Sequence, residues 1–231
     1  MPPKEIVPIR CSDKRGVEHW DEKRAKDLAD FPSPFRMLLL GPPNTGKSTL
    51  IKNIILHIRP RFKEVYVVHP DADVSREYDD LEPTEKFTDI PPLEFWNNNE
   101  GPYVKRALVI DDLEYTAATK QRLHDLALTF RYCSSHKGLS VFLAHQSWFD
   151  TPVIVKKMSN IYVVYRPRAR NELAMIENRV GLPQDSMKEI FDTIATGPMD
   201  SICVDLTRDS PAKLRVNVWH PVELAEQEDV R

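Results

Sequence analysis

Eight consecutive residues, Gly41-Pro42-Pro43-Asn44-Thr45-Gly46-Lys47-Ser48, limit what this chain can fold into more than any other part of it. They follow the apolar run Met37-Leu38-Leu39-Leu40 and precede a segment of helical character that Pro60 stops. Four apolar residues in a row mark a strand buried on both faces. A glycine near each end of the loop lets the backbone open into a wide turn whose N–H groups converge on phosphate oxygens. The helix that begins there adds the positive end of its dipole. Lys47 brings a point charge to the β- and γ-phosphates, and Ser48 offers a hydroxyl to Mg2+. The spacing predicts a strand, a phosphate loop and a helix, with Gly41, Pro42, Pro43, Asn44, Thr45, Gly46, Lys47, Ser48 and Thr49 around a nucleotide such as ATP.

A second apolar run, Ala107-Leu108-Val109-Ile110, ends in Asp111-Asp112. An acid at the tip of a buried strand beside a phosphate loop is the Walker B arrangement. Asp111 is expected to hold Mg2+ together with Ser48. Asp112, one step on, is expected to polarise the attacking water. Glu114 is a second candidate for that base, because the Asp112 side chain is short. The run Val141-Phe142-Leu143-Ala144 ends at His145-Gln146. A polar residue at that strand tip can touch the γ-phosphate or its water, which makes Gln146 a candidate sensor. His124, His136 and His145 read as structural.

Strand runs alternate with helical spacings along the chain. Val65-Tyr66-Val67-Val68 reads as a strand lying between the loop strand and the strand ending at Asp111. Residues 71–102 are acidic and rich in Pro and Asn, and read as loop with little regular structure. Leu123, Leu126, Ala127 and Phe130 predict a helix over 119–132. A fifth strand over 161–165, helices over 171–180 and 184–196, and closing strands over 201–206 and 214–218 complete the pattern. The last two are joined by the turn Arg208-Asp209-Ser210-Pro211. Alternation of this kind predicts an α/β fold with a mostly parallel central sheet flanked by helices and a C-terminal strand hairpin, and a strand between the loop strand and the one ending at Asp111 is typical of the RecA-like (ASCE) P-loop class. Ligands of such sheets bind at the carboxyl ends of the strands, where the phosphate loop lies. The expected layout is an N-terminal arm or cap over 1–35, one domain over 36–221 and a polar tail over 222–231.

At 231 residues, 41% hydrophobic and 29% charged, the chain has the composition of a soluble globular protein with one substantial core. No apolar run approaches the roughly 18 residues that cross a bilayer, so no transmembrane segment is expected. Cys11, Cys133 and Cys203 form no CxxC pair, which predicts a reducing compartment without a disulfide framework or zinc site. The net charge of −3 hides an uneven distribution. Residues 71–100 hold ten acids against Arg76 and Lys86. Residues 126–171 hold one acid, Asp150, against Arg131, Lys137, Lys156, Lys157, Arg166, Arg168 and Arg170. The second stretch is a candidate for sequence-independent contact with nucleic-acid phosphates, with Lys156, Lys157 and Arg166 foremost. The acidic stretch is expected to face away from such a partner.

Taken in order, residues 38–49, 107–114, 134–146, 159–168 and 200–218 resemble the FtsK/HerA superfamily, and within it the genome-packaging ATPases of poxviruses, other large DNA viruses, virophages and related membrane-containing viruses. Ser135-His136-Lys137-Gly138-Leu139-Ser140-Val141 leads into the sensor strand as in that family. Asn160-Ile161-Tyr162-Val163-Val164-Tyr165-Arg166-Pro167-Arg168 resembles its strand and basic-Pro-Arg turn. Asp205-Leu206 and Arg215-Val216-Asn217 resemble its closing hairpin. The resemblance implies an ATPase that assembles as a homo-oligomeric ring and moves double-stranded DNA into a preformed capsid. It also implies a capsid or vertex protein as partner, and a place inside the host cell where virions assemble. It implies an arginine finger given in trans, for which Arg131 is the first candidate and Arg168 the second. Many family members carry Asp-Glu where this chain has Asp111-Asp112, which leaves the base open between Asp112 and Glu114. Two other readings stay open: a nucleotide-gated assembly factor with little turnover, and a cellular HerA-like translocase or secretion ATPase.

Overall fold

The computed structural model describes residues 30–97, 104–208 and 213–222. The expected arm up to residue 29 with Cys11, Glu100, the turn at 209–212 and the tail from 223 lie outside these residues. Within them a nine-stranded sheet runs in the order β3-β2-β4-β5-β1-β6-β7-β8-β9. The strands are β1 (Arg36–Leu40), β2 (Glu64–Val68), β3 (Glu85–Phe87), β4 (Arg106–Ile110), β5 (Leu139–His145), β6 (Ile161–Tyr165), β7 (Ser201–Asp205), β8 (Leu214–Val216) and β9 (His220–Pro221). The strands from β3 to β6 in that order are parallel, and β7, β8 and β9 are antiparallel. This is the mostly parallel α/β sheet with closing hairpin strands that the sequence predicts.

Both faces of the sheet are covered, which is why its central strands read as unbroken apolar runs. Along β1, Met37 and Leu39 point into one core, and Leu38 and Leu40 into the other. The first core is closed by Ile51, Ile54 and Ile55 of α1 (Lys47–His57). Phe31 and Phe35 pack there too, so the end of the expected N-terminal arm belongs to the hydrophobic core. The second core takes Trp96 of α2 (Leu93–Asn97), Leu126 of α3 (Lys120–Leu128) and Val155 of α5 (Val153–Met158). It also takes Ile176 of α6 (Arg170–Val180) and Met187, Ile190 and Phe191 of α7 (Ser186–Thr193). Helix α3 starts at a Thr119 cap whose side chain accepts from the Arg122 N–H at 3.1 Å. It continues through a π turn (Thr129–Cys133) into the short α4 (Ser134–His136), beyond the predicted end at 132. The thiols of Cys133 and Cys203 are free and buried.

Two expectations are corrected. Val65-Tyr66-Val67-Val68, the body of β2, does not lie between β1 and β4. Strand β5 does, pairing with both, and β2 sits outside β4. The crossover through α1 skips two strand positions, and β4 and then β5 fill the gap. Residues 71–102 are not simply loop. They contain a short 3-10 turn (Asp79–Leu81), the edge strand β3 and α2. A three-residue edge strand reading Glu-Lys-Phe carries charge to blunt the edge, so it has no apolar run to betray it.

Candidate nucleotide site

The loop leaves β1 at the carboxyl ends of the parallel strands. Its first residue is pinned when the Gly41 N–H donates to the His145 carbonyl at 3.1 Å. A Cβ on Gly41 would come within 2.6 Å of the Tyr165 Cβ, so β6 leaves no room for a side chain. Gly46 caps α1 with φ of 93°, a left-handed conformation that glycine adopts without strain. Between them the loop bends around a pocket of about 370 Å³. Residues 43–49 line it from below, and Glu77, Asp111, Asp112, Gln146 and Met199 from the sides. Gly41 and Pro42 contribute differently: their carbonyls accept from the Lys47 ammonium, both at 2.8 Å. Burial pulls the Lys47 pKa below its ordinary value, and the carboxylates of Asp111, Asp112 and Glu77 oppose that shift.

Asp111 is 3% exposed. Its Oδ2 accepts from the Ser48 hydroxyl at 3.0 Å and from the Tyr78 hydroxyl at 2.5 Å. Burial pushes its pKa up; the bond from Tyr78 works the other way and the nearby Asp112 charge adds to the rise. Tyr78 is itself buried, and its hydroxyl pKa is pushed far up by burial and by the Asp111 charge. Asp112 is exposed at the pocket wall with φ of 54°, a left-handed conformation that Asp tolerates better than most residues. Such outliers cluster where a side chain must be aimed. Gln146, just past β5, shares the same wall. Thus Lys47, Ser48, Asp111, Asp112 and Gln146 converge on one pocket.

Other candidates fall elsewhere. Glu114 does not line the pocket; its carboxylate accepts from the Thr116 hydroxyl. Arg131 is exposed in the π turn, at the amino end of the strands, where the Arg36 guanidinium reaches the Phe130 carbonyl. Arg168 is exposed just past β6, at the same end of the sheet as the loop. The basic stretch therefore does not form one surface. Lys156 donates to the Trp148 carbonyl at 2.9 Å and lies over its ring. Arg166 pairs with Asp192 at 2.8 Å and with the Phe191 carbonyl.

Sequence reasoning missed Glu77 and Tyr78, and a second hollow of about 200 Å³ beside the loop. Leu50, Asn53, Tyr165, Met199, Asn217 and Trp219 line that hollow, and it shares Thr45, Gly46, Thr49 and Met199 with the first. Its apolar and aromatic walls suit a flat ring next to a phosphate chain. Ala72, Tyr78 and Leu81 are buried among acids, so the segment packs, but no local pattern in the sequence singles them out.

Ser48 and Asp111 offer hard oxygen donors, the kind Mg2+ takes. Among the described residues no group of three or more His, Cys, Asp or Glu could hold a metal ion by itself. A site with so few protein donors suits an ion that arrives with phosphates and keeps several waters. Among the described residues no helix is long and apolar enough to cross a membrane.

No protein-family model matches the sequence, and no curated protein matches it. Solved structures do match in fold. The genome packaging NTPase B204 of Sulfolobus turreted icosahedral virus 2, in complex with sulfate, superposes with a TM-score of 0.57 over 84% of this chain and 99% of its own, at 16% identity. The same NTPase in complex with AMPPCP gives 0.51 over 79% and 96%, again at 16% identity. The cytoplasmic domain of the Type VII secretion ATPase EccC of Thermomonospora curvata gives 0.54 at 11% identity, over 90% of this chain but only 29% of that one. At these identities the likeness shows the fold alone, the mostly parallel α/β sheet that this chain shares with these NTPases.

Proposed function

We propose that this chain is an ATP-hydrolysing motor that works as a homo-oligomeric ring and moves double-stranded DNA into a preformed viral capsid. The observation that carries the catalytic half is the convergence of Lys47, Ser48, Asp111, Asp112 and Gln146 on one pocket at the carboxyl ends of the strands. Backbone N–H groups of the loop and the start of α1 hold the phosphates. Lys47 exchanges its carbonyl partners for phosphate oxygens. Ser48 and Asp111 hold Mg2+, which neutralises charge on the phosphates when bound. The Asp112 carboxylate takes a proton from water as the water oxygen bonds to the γ-phosphorus. The bond from that phosphorus to the bridging oxygen breaks, leaving ADP and phosphate. Gln146 orients the same water. An arginine of a neighbouring subunit completes the charge balance.

The motor half is supported by the near full-length overlap with a viral genome packaging NTPase, 99% of whose chain is covered. A translocase must accept every sequence, so its DNA contacts go to phosphates. The test is ATP turnover with and without duplex DNA. We expect slow basal turnover, stimulation by duplexes of unrelated sequence, and loss of that stimulation as salt rises. Nucleotide binding without turnover would favour a nucleotide-gated assembly factor. Turnover indifferent to DNA would favour a secretion-type ATPase.

A further inference from the structure

The segment after β2 has no role in the mechanism above, yet it reaches the centre of the site. Tyr78 places its hydroxyl 2.5 Å from Asp111 Oδ2, the oxygen that Ser48 also touches. The ring is 2% exposed, so the bond is buried rather than a surface accident. Two ion pairs staple the segment directly after it. Asp80 pairs with Lys52 of α1 at 2.9 Å, and Asp79 with Lys86 of β3. Glu77, next to Tyr78, lines the phosphate pocket. One short stretch thus touches the helix behind the phosphate loop, the acid at the end of β4 and the pocket itself.

A carboxylate that holds a metal must present one oxygen in a fixed direction. The neighbour that bonds its other lone pairs fixes that direction, and removing such a partner commonly weakens metal binding tenfold or more. We propose that Tyr78 is a positioning residue for Asp111: its hydroxyl fixes Oδ2 so that the other carboxylate oxygen, Oδ1, faces the metal that arrives with the nucleotide. This rests on the reading of the pocket as a Mg2+-nucleotide site. It also makes the segment from β2 to β3 part of the nucleotide machinery instead of an acidic appendage.

Tyr78→Phe keeps the buried ring and removes only the hydroxyl. Thermal melting of the full chain with AMPPCP, titrated with Mg2+, reads metal binding without turnover. The wild type should gain a Mg2+-dependent rise in Tm. In Tyr78→Phe the half-saturating Mg2+ should rise about tenfold, while the ligand-free Tm falls by only a few degrees for the lost buried hydrogen bond and the metal-free response to AMPPCP stays near wild type. Steady-state ATPase should show the same shift, with kcat recovered at excess Mg2+, which a misfolded site would not allow. An unchanged Mg2+ midpoint in Tyr78→Phe beside a responsive wild type overturns the proposal. So does a loss that excess Mg2+ does not rescue. A wild type with no Mg2+-dependent response would sink the nucleotide-site reading itself, and the proposal with it.

Discussion

The Ser48 hydroxyl donates to Asp111 Oδ2 at 3.0 Å, joining the first turn of α1 to the end of β4. The fold itself therefore brings the two proposed Mg2+ donors together, and it does so around a nearly buried carboxylate. Burial raises the Asp111 pKa above the ordinary 3.8. Between the unfolded and folded values the folded chain holds more protons, so this contribution to stability is full below about pH 4 and is lost as pH rises through the folded value. Asp111→Asn should abolish Mg2+-dependent turnover yet stabilise the ligand-free protein by about 1 kcal/mol at neutral pH. Melting curves of both proteins from pH 4 to 8 would show their difference growing with pH. Parallel pH dependences would mean that Asp111 is already ionised throughout.

Lys47→Ala removes the only side-chain positive charge that lines the phosphate pocket among the described residues. Turnover should fall by a factor of about 100 or more, the usual loss when one preorganised group facing developing charge is deleted. The Gly41 and Pro42 carbonyls lose a charged donor, so the loop should loosen and Tm should fall by only a few degrees. Phosphate release and thermal melting check both halves. Near wild-type turnover would end the phosphate-loop reading.

Asp112 and Glu114 are separated by where they stand. Asp112 lines the pocket, whereas the Glu114 carboxylate is bound to Thr116 away from it. Asp112→Asn should keep ATP binding and slow cleavage by about 100-fold, within the range set for a general base. Glu114→Gln should stay within about twofold of wild type, as surface changes generally do. Single-turnover measurements with bound ATP distinguish the two, and a trapped ATP state in Glu114→Gln alone would reverse the assignment.

The parts legible in the sequence were those where one residue type has one physical reason. Gly41 is squeezed against Tyr165, Gly46 needs a positive φ, and β1, β4 and β5 are apolar because both faces are buried. What stayed hidden depends on partners far away in the chain. Tyr78 meets Asp111 across 33 positions, and nothing local distinguishes it from another loop aromatic. The place of β2 outside β4 follows from how many strand positions a crossover skips, which no local pattern encodes. The hollow under Trp219 draws on α1, β6 and the closing hairpin together.

Arg131 and Arg168 lie at opposite ends of the strands, so a ring interface cannot present both to one pocket in the same way. A finger acting in trans leaves a clear signature. Mixing the chosen arginine variant with Asp112→Asn should restore part of the turnover, because some interfaces then pair an intact finger with an intact pocket. Recovery with Arg168→Ala but not Arg131→Ala would assign Arg168, and the converse Arg131. No recovery with either, despite co-assembly by native mass measurement, would count against a trans arginine.

The basic residues at 156 and 157 differ sharply although they are adjacent. Lys156 is tied down by the Trp148 carbonyl and ring, and burial lowers its pKa. Lys157 is exposed at the end of α5, where its ammonium is open to solvent. A lysine already spending its charge inside the fold has little left for a phosphate, while an exposed one releases a counterion on meeting DNA. Lys157→Ala should weaken duplex binding about equally for all sequences and reduce the log-log salt slope by roughly 0.9 for each phosphate it no longer neutralises. Lys156→Ala should leave that slope alone and cost about 1 kcal/mol of stability, because the stacking on Trp148 and the hydrogen bond both go. Binding isotherms at several salt concentrations, with melting curves of the same variants, separate the effects. A slope that changes in Lys156→Ala alone would make Lys156 the phosphate contact, and a slope that changes in neither variant would move the DNA path off this helix end, toward the Arg168 side of the sheet.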